Sequence, residues 1–193
     1  GLSGGKDSLA LVEVLAARQK IFKPKIEVLA CHVSVENVPY QSDIEYLREF
    51  CESRGVKFVH KTTRFDEDTK DGRGPCFLCA WNRRKTLFTA AEEYGCTKLA
   101  LGHQKDDILG TVLMNQIFQG AYATMPPVLR MAKFEMTIIR PLALVREAEI
   151  EAVAEAHEYR KQIKNCPHEK VSNRPQVREI LQRMEELNPN AAS

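Results

Sequence analysis

Residues 3–8 of the chain read Ser-Gly-Gly-Lys-Asp-Ser, a combination of residue types that suits the binding of a phosphate group. Two adjacent glycines let the backbone curl so that several N–H groups converge before a helix, although a simple Gly-Gly turn would also use them. The spacing is that of neither a Walker loop nor a dinucleotide fingerprint. Lys6 adds a positive charge, and we predict that it is a catalytic cation. The predicted phosphate-binding residues are Ser3, Gly4, Gly5, Lys6, Asp7 and Ser8.

A second polar stretch, Gly-His-Gln-Lys-Asp-Asp at 102–107, lies where a predicted strand ends and a helix begins. Acids at a helix start also complement the helix dipole, so a purely structural role is an open alternative. Beside a nucleotide, a carboxylate can hold Mg²⁺ and a histidine can contact phosphate or substrate. We predict that Asp106 is a catalytic or Mg²⁺-binding carboxylate, that His103 is a catalytic contact and that Gly102 lies against ATP.

The cysteines form a third group. Cys76 and Cys79 are spaced as C-x-x-C, which serves zinc, iron–sulfur and redox sites alike. Cys166 stands alone in a basic stretch, and three thiolates suit a [4Fe–4S] cluster with one open iron better than a closed four-ligand zinc site. His168 or Cys31 could supply the fourth ligand for zinc, so zinc stays an alternative. Cys51 and Cys96, like Cys31, lie in apolar surroundings typical of buried residues.

Basic residues flank both cysteine segments. A solvated charged face is one explanation, and a grip on nucleic-acid phosphates is the other. Trp81 could stack on a base or belong to the core. The residues that we predict to bind RNA are Arg83, Arg84, Lys85, Arg174 and Arg178.

These groups must be positioned by a framework of alternating helices and strands. The apolar periodicity predicts helices over 8–20, 40–54, 78–94, 106–119, 146–157 and from Pro175 to about 187, with strands over 26–33, 56–60, 97–101 and 136–140 and a polar loop over 61–75. Such alternation predicts an α/β fold with a doubly wound parallel sheet, whose ligands lie at the strand carboxyl ends. Because the phosphate loop begins the chain, we expect the preceding first strand to be missing.

Composition and length indicate one core with a helical extension: 193 residues, of which 44% are hydrophobic, and a net charge of only +2. We expect a nucleotide-binding domain over 1–145 and a helical, basic extension over 146–193 that carries Cys166. The sequence holds no apolar run of about 18 residues, no signal pattern and no disulfide-type cysteine spacing. We therefore expect a cytoplasmic protein without membrane contact.

Together with Met-Pro-Pro at 125–127 and Ile-Arg-Pro-Leu at 139–142, these motifs resemble, in order and spacing, those of the tRNA 2-thiocytidine biosynthesis proteins in the PP-loop ATPase superfamily. The resemblance runs over residues 1–185. Two positions depart from the family pattern: Glu169 stands where a further cysteine is common, and Gln104-Lys105 is less basic than expected.

The resemblance implies ATP-dependent thiolation of a cytidine in the tRNA anticodon loop, with Mg²⁺ and a [4Fe–4S] cluster as cofactors. ATP would activate the oxygen on C2 of the base as an adenylate, and sulfur would replace it. Cys76, Cys79 and Cys166 would ligate the cluster, Val33 would lie beside the adenosine, and a cysteine desulfurase or another donor would supply sulfur. A homodimer is also implied.

Two other functions stay open at this point. One is a PP-loop tRNA-modifying enzyme of different outcome, either a thiouridine-forming relative or a lysidine synthetase-like ligase, and a ligase would have no use for three cysteines. The other is a zinc-stabilised nucleotide- or RNA-binding module without enzymatic activity.

Overall fold

The structure is a computed structural model that describes residues 1–38, 42–65, 74–132, 134–162 and 173–192. Within these residues the helices are α1 (Lys6–Gln19), α2 (Ile44–Glu52), α3 (Pro75–Glu93), α4 (Lys105–Gln119), α5 (Glu147–Ala156) and α6 (Arg174–Leu187). The strands within them are β1 (Leu29–Val35), β2 (Lys57–Thr63), β3 (Lys98–Ala100), β4 (Val128–Arg130) and β5 (Thr137–Ile139).

The strands form two groups that meet at the start of the chain. β1 pairs in parallel with β2, and β3 pairs in parallel with β5. Gly1 donates its N–H to the Ala100 carbonyl oxygen (2.9 Å), and Leu2 donates to the Cys31 carbonyl oxygen (2.8 Å). Residues 1 and 2 therefore lie between β1 and β3, so the phosphate loop begins at the carboxyl edge of the parallel strands, where such folds bind ligands.

The main core holds α1 against α2 and α5. Leu9 and Leu47 are completely buried, at 0% exposure, and Ile150 belongs to the same cluster. Leu9, Leu11 and Val12 of the apolar pattern predicted for α1 are buried, whereas Val14 of the same pattern is 42% exposed. Because α5 shares this cluster with α1, the helix after residue 145 contributes to the core, and the predicted domain boundary at 145 stays a prediction.

The predicted parallel α/β fold is confirmed, with local differences. β4 was not predicted: it is a three-residue, fully exposed edge strand that pairs antiparallel with β5, and so short a strand has no burial pattern to reveal it. α3 begins at Pro75, three residues earlier than predicted, because Gly74 caps it and proline suits the first helical turn. Among the described residues, no helix is both long and apolar enough to cross a membrane.

Candidate functional site

The phosphate loop is held by the side chain of Ser8. Its Oγ accepts hydrogen bonds from the N–H groups of Ser3 and Gly4 (both 3.2 Å) and donates to the Gly5 carbonyl oxygen (2.8 Å). Gly4 has a φ of +86°, a conformation that a residue with a Cβ rarely adopts. Gly5 is the N-cap of α1 and offers no side-chain cap. The N–H groups of Lys6 and Asp7 therefore stay available for an anion, whereas the N–H of Ser8 donates to the Gly5 carbonyl oxygen (3.0 Å).

Lys6 lies at this helix start but pairs with acids. Its Nζ contacts Oε1 of Glu147 (2.9 Å) and Oδ1 of Asp7 (3.0 Å). Burial alone would lower the pKa of Lys6, but the hydrogen bonds to Glu147 and Asp7 raise it above its usual value. The cation is therefore charged and held at the loop, and contact with a phosphate would require it to exchange a carboxylate for the ligand.

The polar stretch after β3 packs directly on the phosphate loop through Gly102. A Cβ at this position would lie 3.1 Å from the Asp7 carbonyl oxygen and 3.2 Å from the Ser8 nitrogen, both backbone atoms that cannot easily move. Glycine is thus required by close approach, and it brings the two predicted motifs side by side.

A cavity of about 320 Å³ opens between these motifs, β1 and α3. The predicted residues Ser3, Asp7, Ser8, Val33, Gly102, His103, Arg83 and Arg174 line it. Cys31, named above as a possible zinc ligand, also lines it, as do residues to which the sequence assigned no site role: Gly1, Leu2, His32, Leu87, Leu101 and Asp107. Hydroxyls, backbone at a helix N-terminus and two guanidinium groups around one cavity suit a phosphorylated ligand.

The carboxylate of Asp106, predicted to be catalytic or to bind Mg²⁺, makes its contacts outside this cavity. It pairs with the Arg146 guanidinium (2.9 Å) and accepts the N–H of Glu147 (2.7 Å). Burial would raise the pKa of Asp106, but Arg146 and the Glu147 N–H lower it below its usual value. Its neighbour Asp107 lines the cavity, and its carboxylate accepts the N–H of Gln104 (3.3 Å) in a capping box at the start of α4.

His103 lines the cavity and is backed by an arginine that sequence reasoning assigned no role. The Nε of Arg140 donates to Nδ1 of His103 (3.3 Å). Burial lowers the pKa of His103, and the positive charge of Arg140 lowers it further. The only sequence signal for Arg140 was its place in the Ile-Arg-Pro-Leu motif, directly after β5.

His32 is a second buried histidine of the cavity wall, at 4% exposure. Its Nδ1 hydrogen-bonds the Leu2 carbonyl oxygen (2.8 Å), which identifies Nδ1 as the protonated nitrogen. Burial lowers the pKa of His32 to about 4, so the ring is neutral at neutral pH. A histidine inside an apolar strand gives no sequence signal of this placement.

The predicted RNA-binding residues separate in the structure. The Nε of Arg83 is buried and has no hydrogen-bond partner in the part of the chain that is described, so a ligand anion in the cavity could satisfy it. Arg84 and Lys85 are exposed on α3, with Lys85 over the Trp81 ring. Arg178 pairs with Glu147 (3.2 Å).

Cys76 and Cys79 lie in the first turn of α3, an exposed and a half-buried residue three positions apart. This spacing puts both side chains on one helix face, which fits the binding of one metal or cluster. Cys166 lies outside the described residues. Within the residues described, no group of three His, Cys, Asp or Glu side chains is arranged to hold a metal ion.

α3 connects the cysteine pair with the cavity. Arg83 follows Cys79 by four residues, one helical turn or about 6 Å along the axis, and residues at this spacing share a helix face. Arg83 and Leu87 both line the cavity, so the helix that begins with the cysteine pair also supplies two side chains to the cavity wall.

Comparison with known proteins identifies the family to which the chain belongs. The family described as the PP-loop domain matches residues 1–184. A tRNA-cytidine(32) 2-sulfurtransferase of Stutzerimonas stutzeri is 37% identical over 193 residues, covering 97% of this chain and 70% of that protein. The protein of the same name from Syntrophotalea carbinolica is 34% identical over 196 residues, covering 100% of this chain and 76% of that protein.

A solved structure is also similar: the U34-tRNA thiolase NcsA from Methanococcus maripaludis with its [4Fe-4S] cluster. It superposes with a TM-score of 0.82 at 32% identity, over 100% of this chain and 67% of that chain. The resemblance inferred from the motifs and the α/β fold are both confirmed by these matches. The roles of individual site residues stay predictions.

Proposed function

This chain belongs to the PP-loop domain family, and we propose that it is an ATP-dependent tRNA sulfurtransferase that replaces the C2 oxygen of an anticodon-loop cytidine with sulfur. The observation that carries the proposal is the cavity: the phosphate loop forms one side of it, and α3, which begins with the cysteine pair, forms the other. One cavity can thus bring a nucleotide phosphate and a base carrying the reacting oxygen to the same place.

The residues of the chain divide the work as follows. Residues 3–8 bind the ATP phosphates through backbone N–H groups and hydroxyls, and Lys6 balances their charge. Val33 lies beside the adenosine. Gly102 has no side chain, so the stretch that follows it can pack against the phosphate loop. Asp107 and Asp7 are the carboxylates among the described residues that line the cavity, and they would hold Mg²⁺, which would supply positive charge to balance the phosphates.

Arg83 and Arg174 face the cavity and bind phosphates of the tRNA or of ATP, while the exposed Arg84, Lys85 and Arg178 extend the basic surface for the tRNA backbone. Cys76 and Cys79, with Cys166, hold the [4Fe–4S] cluster. When bound, the cluster supplies an iron with an open position to which sulfur can be attached.

Uridine is a second candidate for the modified base, and the similar solved structure favours it. The similar solved structure is a thiolase that acts on U34, and its 32% identity lies close to the 34–37% of the cytidine(32) enzymes. Thiolation of a uridine by the same cavity is therefore the alternative. A lysidine-type ligase is not favoured, because it gives the cysteine pair no role.

We further propose that the protein acts in the cytoplasm, takes sulfur from a cysteine desulfurase or another donor, and forms a homodimer. The names of the relatives, which act on tRNA, support the compartment. Several apolar side chains on and after α4 and on β4 are exposed, which supports a subunit contact. Among them are Ile117, Phe118, Tyr122 and Val128.

The test begins with anaerobic purification of the protein that contains this chain, followed by a visible spectrum and by iron, sulfide and zinc analysis of the same sample. The proposal predicts thiolate-to-iron absorbance with about four iron per chain. It also predicts ATP-dependent pyrophosphate release that requires tRNA. Stoichiometric zinc without iron, or pyrophosphate release that requires lysine, would contradict the thiolation proposal.

A further inference from the structure

We propose that Arg140 is a positioning residue that holds His103 as the Nε2–H tautomer, so that His103 donates a hydrogen bond into the cavity. This inference rests on the proposed function for its chemical meaning, but the geometry stands by itself. It gives a role to the Ile-Arg-Pro-Leu motif and makes His103 a donor instead of a base.

Arg140 is held in one orientation by its surroundings. Its backbone N–H donates to the Pro127 carbonyl oxygen (2.8 Å), and its guanidinium donates to the Pro126 carbonyl oxygen as well as to His103. The residue is only 8% exposed, and within the described part of the chain no carboxylate forms an ion pair with it. A buried guanidinium without a carboxylate is costly, so its remaining polar contacts determine where it points.

The tautomer of His103 follows from the donor inventory. A guanidinium has only N–H groups and no acceptor, so the Nδ1 that faces it must carry a lone pair. In a neutral imidazole the proton then sits on Nε2. His103 lines the cavity, and Arg140 is not among the described residues that do. Because Nδ1 is occupied by Arg140, Nε2 is the ring nitrogen that remains for a ligand.

The surrounding charges keep the ring neutral. Protonation would place a second N–H against Arg140, and burial together with Arg140 lowers the pKa of His103. Arg174 and Arg84 lower the pKa further, and only Asp107 raises it. At neutral pH His103 therefore offers a fixed N–H donor to the cavity.

Such a donor suits the adenylation step. The C2 oxygen of the base forms a bond to the α-phosphorus of ATP, the bond from that phosphorus to the β-bridging oxygen breaks, and pyrophosphate leaves with the electron pair. Negative charge shifts among the phosphate oxygens during this step, and a preorganised donor stabilises it without losing its proton. His103 thus ends the step in the protonation state in which it began.

The tautomer can be measured directly. Long-range ¹H–¹⁵N spectra of the purified protein with ¹⁵N-labelled histidine would be recorded from pH 8 to 5.5, and His103→Gln would identify the His103 signals among the five histidines. The proposal predicts an unprotonated Nδ1 and a protonated Nε2 that persist below pH 6.5. A protonated Nδ1, a tautomer mixture, or an imidazolium at pH 6.5 would overturn it. This readout stands even if the protein releases no pyrophosphate with tRNA.

Kinetics separate a donor from a structural residue. His103→Ala is expected to lower the rate of tRNA-dependent pyrophosphate release by about 100-fold, and His103→Gln, whose amide N–H can replace Nε2–H, by less than about tenfold. Arg140→Met is expected to lower kcat roughly tenfold with little change in KM for ATP. The exposed Arg130 on β4 is the matched control, and Arg130→Met should leave the rate unchanged.

The double variant Arg140→Met/His103→Gln decides between the two roles of Arg140. Because the glutamine amide carries its N–H without help from a guanidinium, the double variant should be no slower than His103→Gln alone. Losses that simply multiply would show that Arg140 acts independently of His103, for example on folding or on a phosphate, and would overturn the proposal. If Arg140→Met does not fold, the spectra of the unmodified protein still test the tautomer.

Discussion

The phosphate-loop side of the cavity and the cysteine end of α3 are built in different ways. On the loop side, backbone contacts determine the geometry: the Ser8 hydroxyl joins three backbone groups, and Gly102 touches the backbone of α1. At the cysteine end, Cys76 is exposed. Cys166, the predicted third ligand of the cluster, comes from a distant part of the sequence.

From this difference we expect the fold alone to form the nucleotide site, and the predicted sulfur site to need Cys166 from a distant part of the sequence. Local contacts form without a bound cofactor, but three thiolates held together repel one another unless a metal neutralises them. The two sides should therefore respond separately to mutation, and the following predictions test that separation.

The largest effect is expected at the cysteine end. Cys79→Ala should reduce thiolation to background and remove bound iron, because two ligands cannot hold the cluster. ATP affinity should stay within about twofold of the unmodified protein, since the loop side is independent. Metal analysis, tRNA nucleoside analysis and nucleotide titration would check this. Cys96→Ala, which lies away from the cavity lining, is the control, and equal iron loss in both variants would refute the ligand assignment.

On the loop side, Lys6→Ala should weaken ATP binding by about 1.5–3 kcal/mol, roughly 10- to 150-fold, because it removes a charge-assisted hydrogen bond to phosphate. Isothermal titration with ATP and Mg²⁺ would measure the change, with the variant Lys20→Ala, beyond the end of α1, as the control. Unchanged affinity would mean that Lys6 keeps its pairing with Glu147 when ATP is bound.

The close approach of Gly102 can be tested by adding one methyl group. Gly102→Ala should cost about 1–3 kcal/mol of unfolding free energy, because a Cβ would press on the backbone of Asp7 and Ser8. It should also weaken ATP binding. Gly110→Ala is the matched control: a Cβ there meets nothing within 4 Å in the middle of α4, so this variant should gain about 0.5–1 kcal/mol. Urea unfolding of both variants would show whether the signs differ.

The smallest expected effect is on the free energy of unfolding in acid, through His32 in the cavity wall. The pKa of His32 is lowered in the folded protein to about 4 from 6.5, so below pH 6.5 the unfolded chain takes up a proton that the folded chain does not. The stabilisation is complete above pH 6.5 and is lost as the pH falls toward 4, by about 2 kcal/mol between pH 7 and 4.5.

His32→Asn, which keeps a donor for the Leu2 carbonyl oxygen, should remove this part of the pH dependence of unfolding. His60→Asn changes an exposed histidine whose ring centroid lies 5.8 Å from that of His32 and whose charge is a minor cause of the lowered pKa of His32, so it should change the slope less than His32→Asn. If both variants keep the slope of the unmodified protein between pH 7 and 4.5, the pKa of His32 is not lowered.

The comparison of the two regions also explains what the sequence could predict. The phosphate-loop motif and the place of the Gly102 stretch at a strand end were predictable from the sequence. The loop is a local motif, and the strand ends follow from the periodicity of the apolar residues. Asp106 and Asp107 are adjacent acids, and no sequence pattern tells which one turns to the cavity and which one meets Arg146. The contact between Arg140 and His103 joins residues 37 positions apart, so only the fold reveals it.

ATP-dependent thiolation of tRNA can be tested by mass spectrometry of nucleosides from tRNA incubated with the anaerobically purified protein, ATP, Mg²⁺ and a sulfur donor. We expect 2-thiocytidine to form only when ATP is present and not to form with Cys79→Ala. A thiouridine in its place would show that the modified base is a uridine. If no thiolated nucleoside forms although the cluster is intact and ATP is bound, the proposed thiolation is wrong.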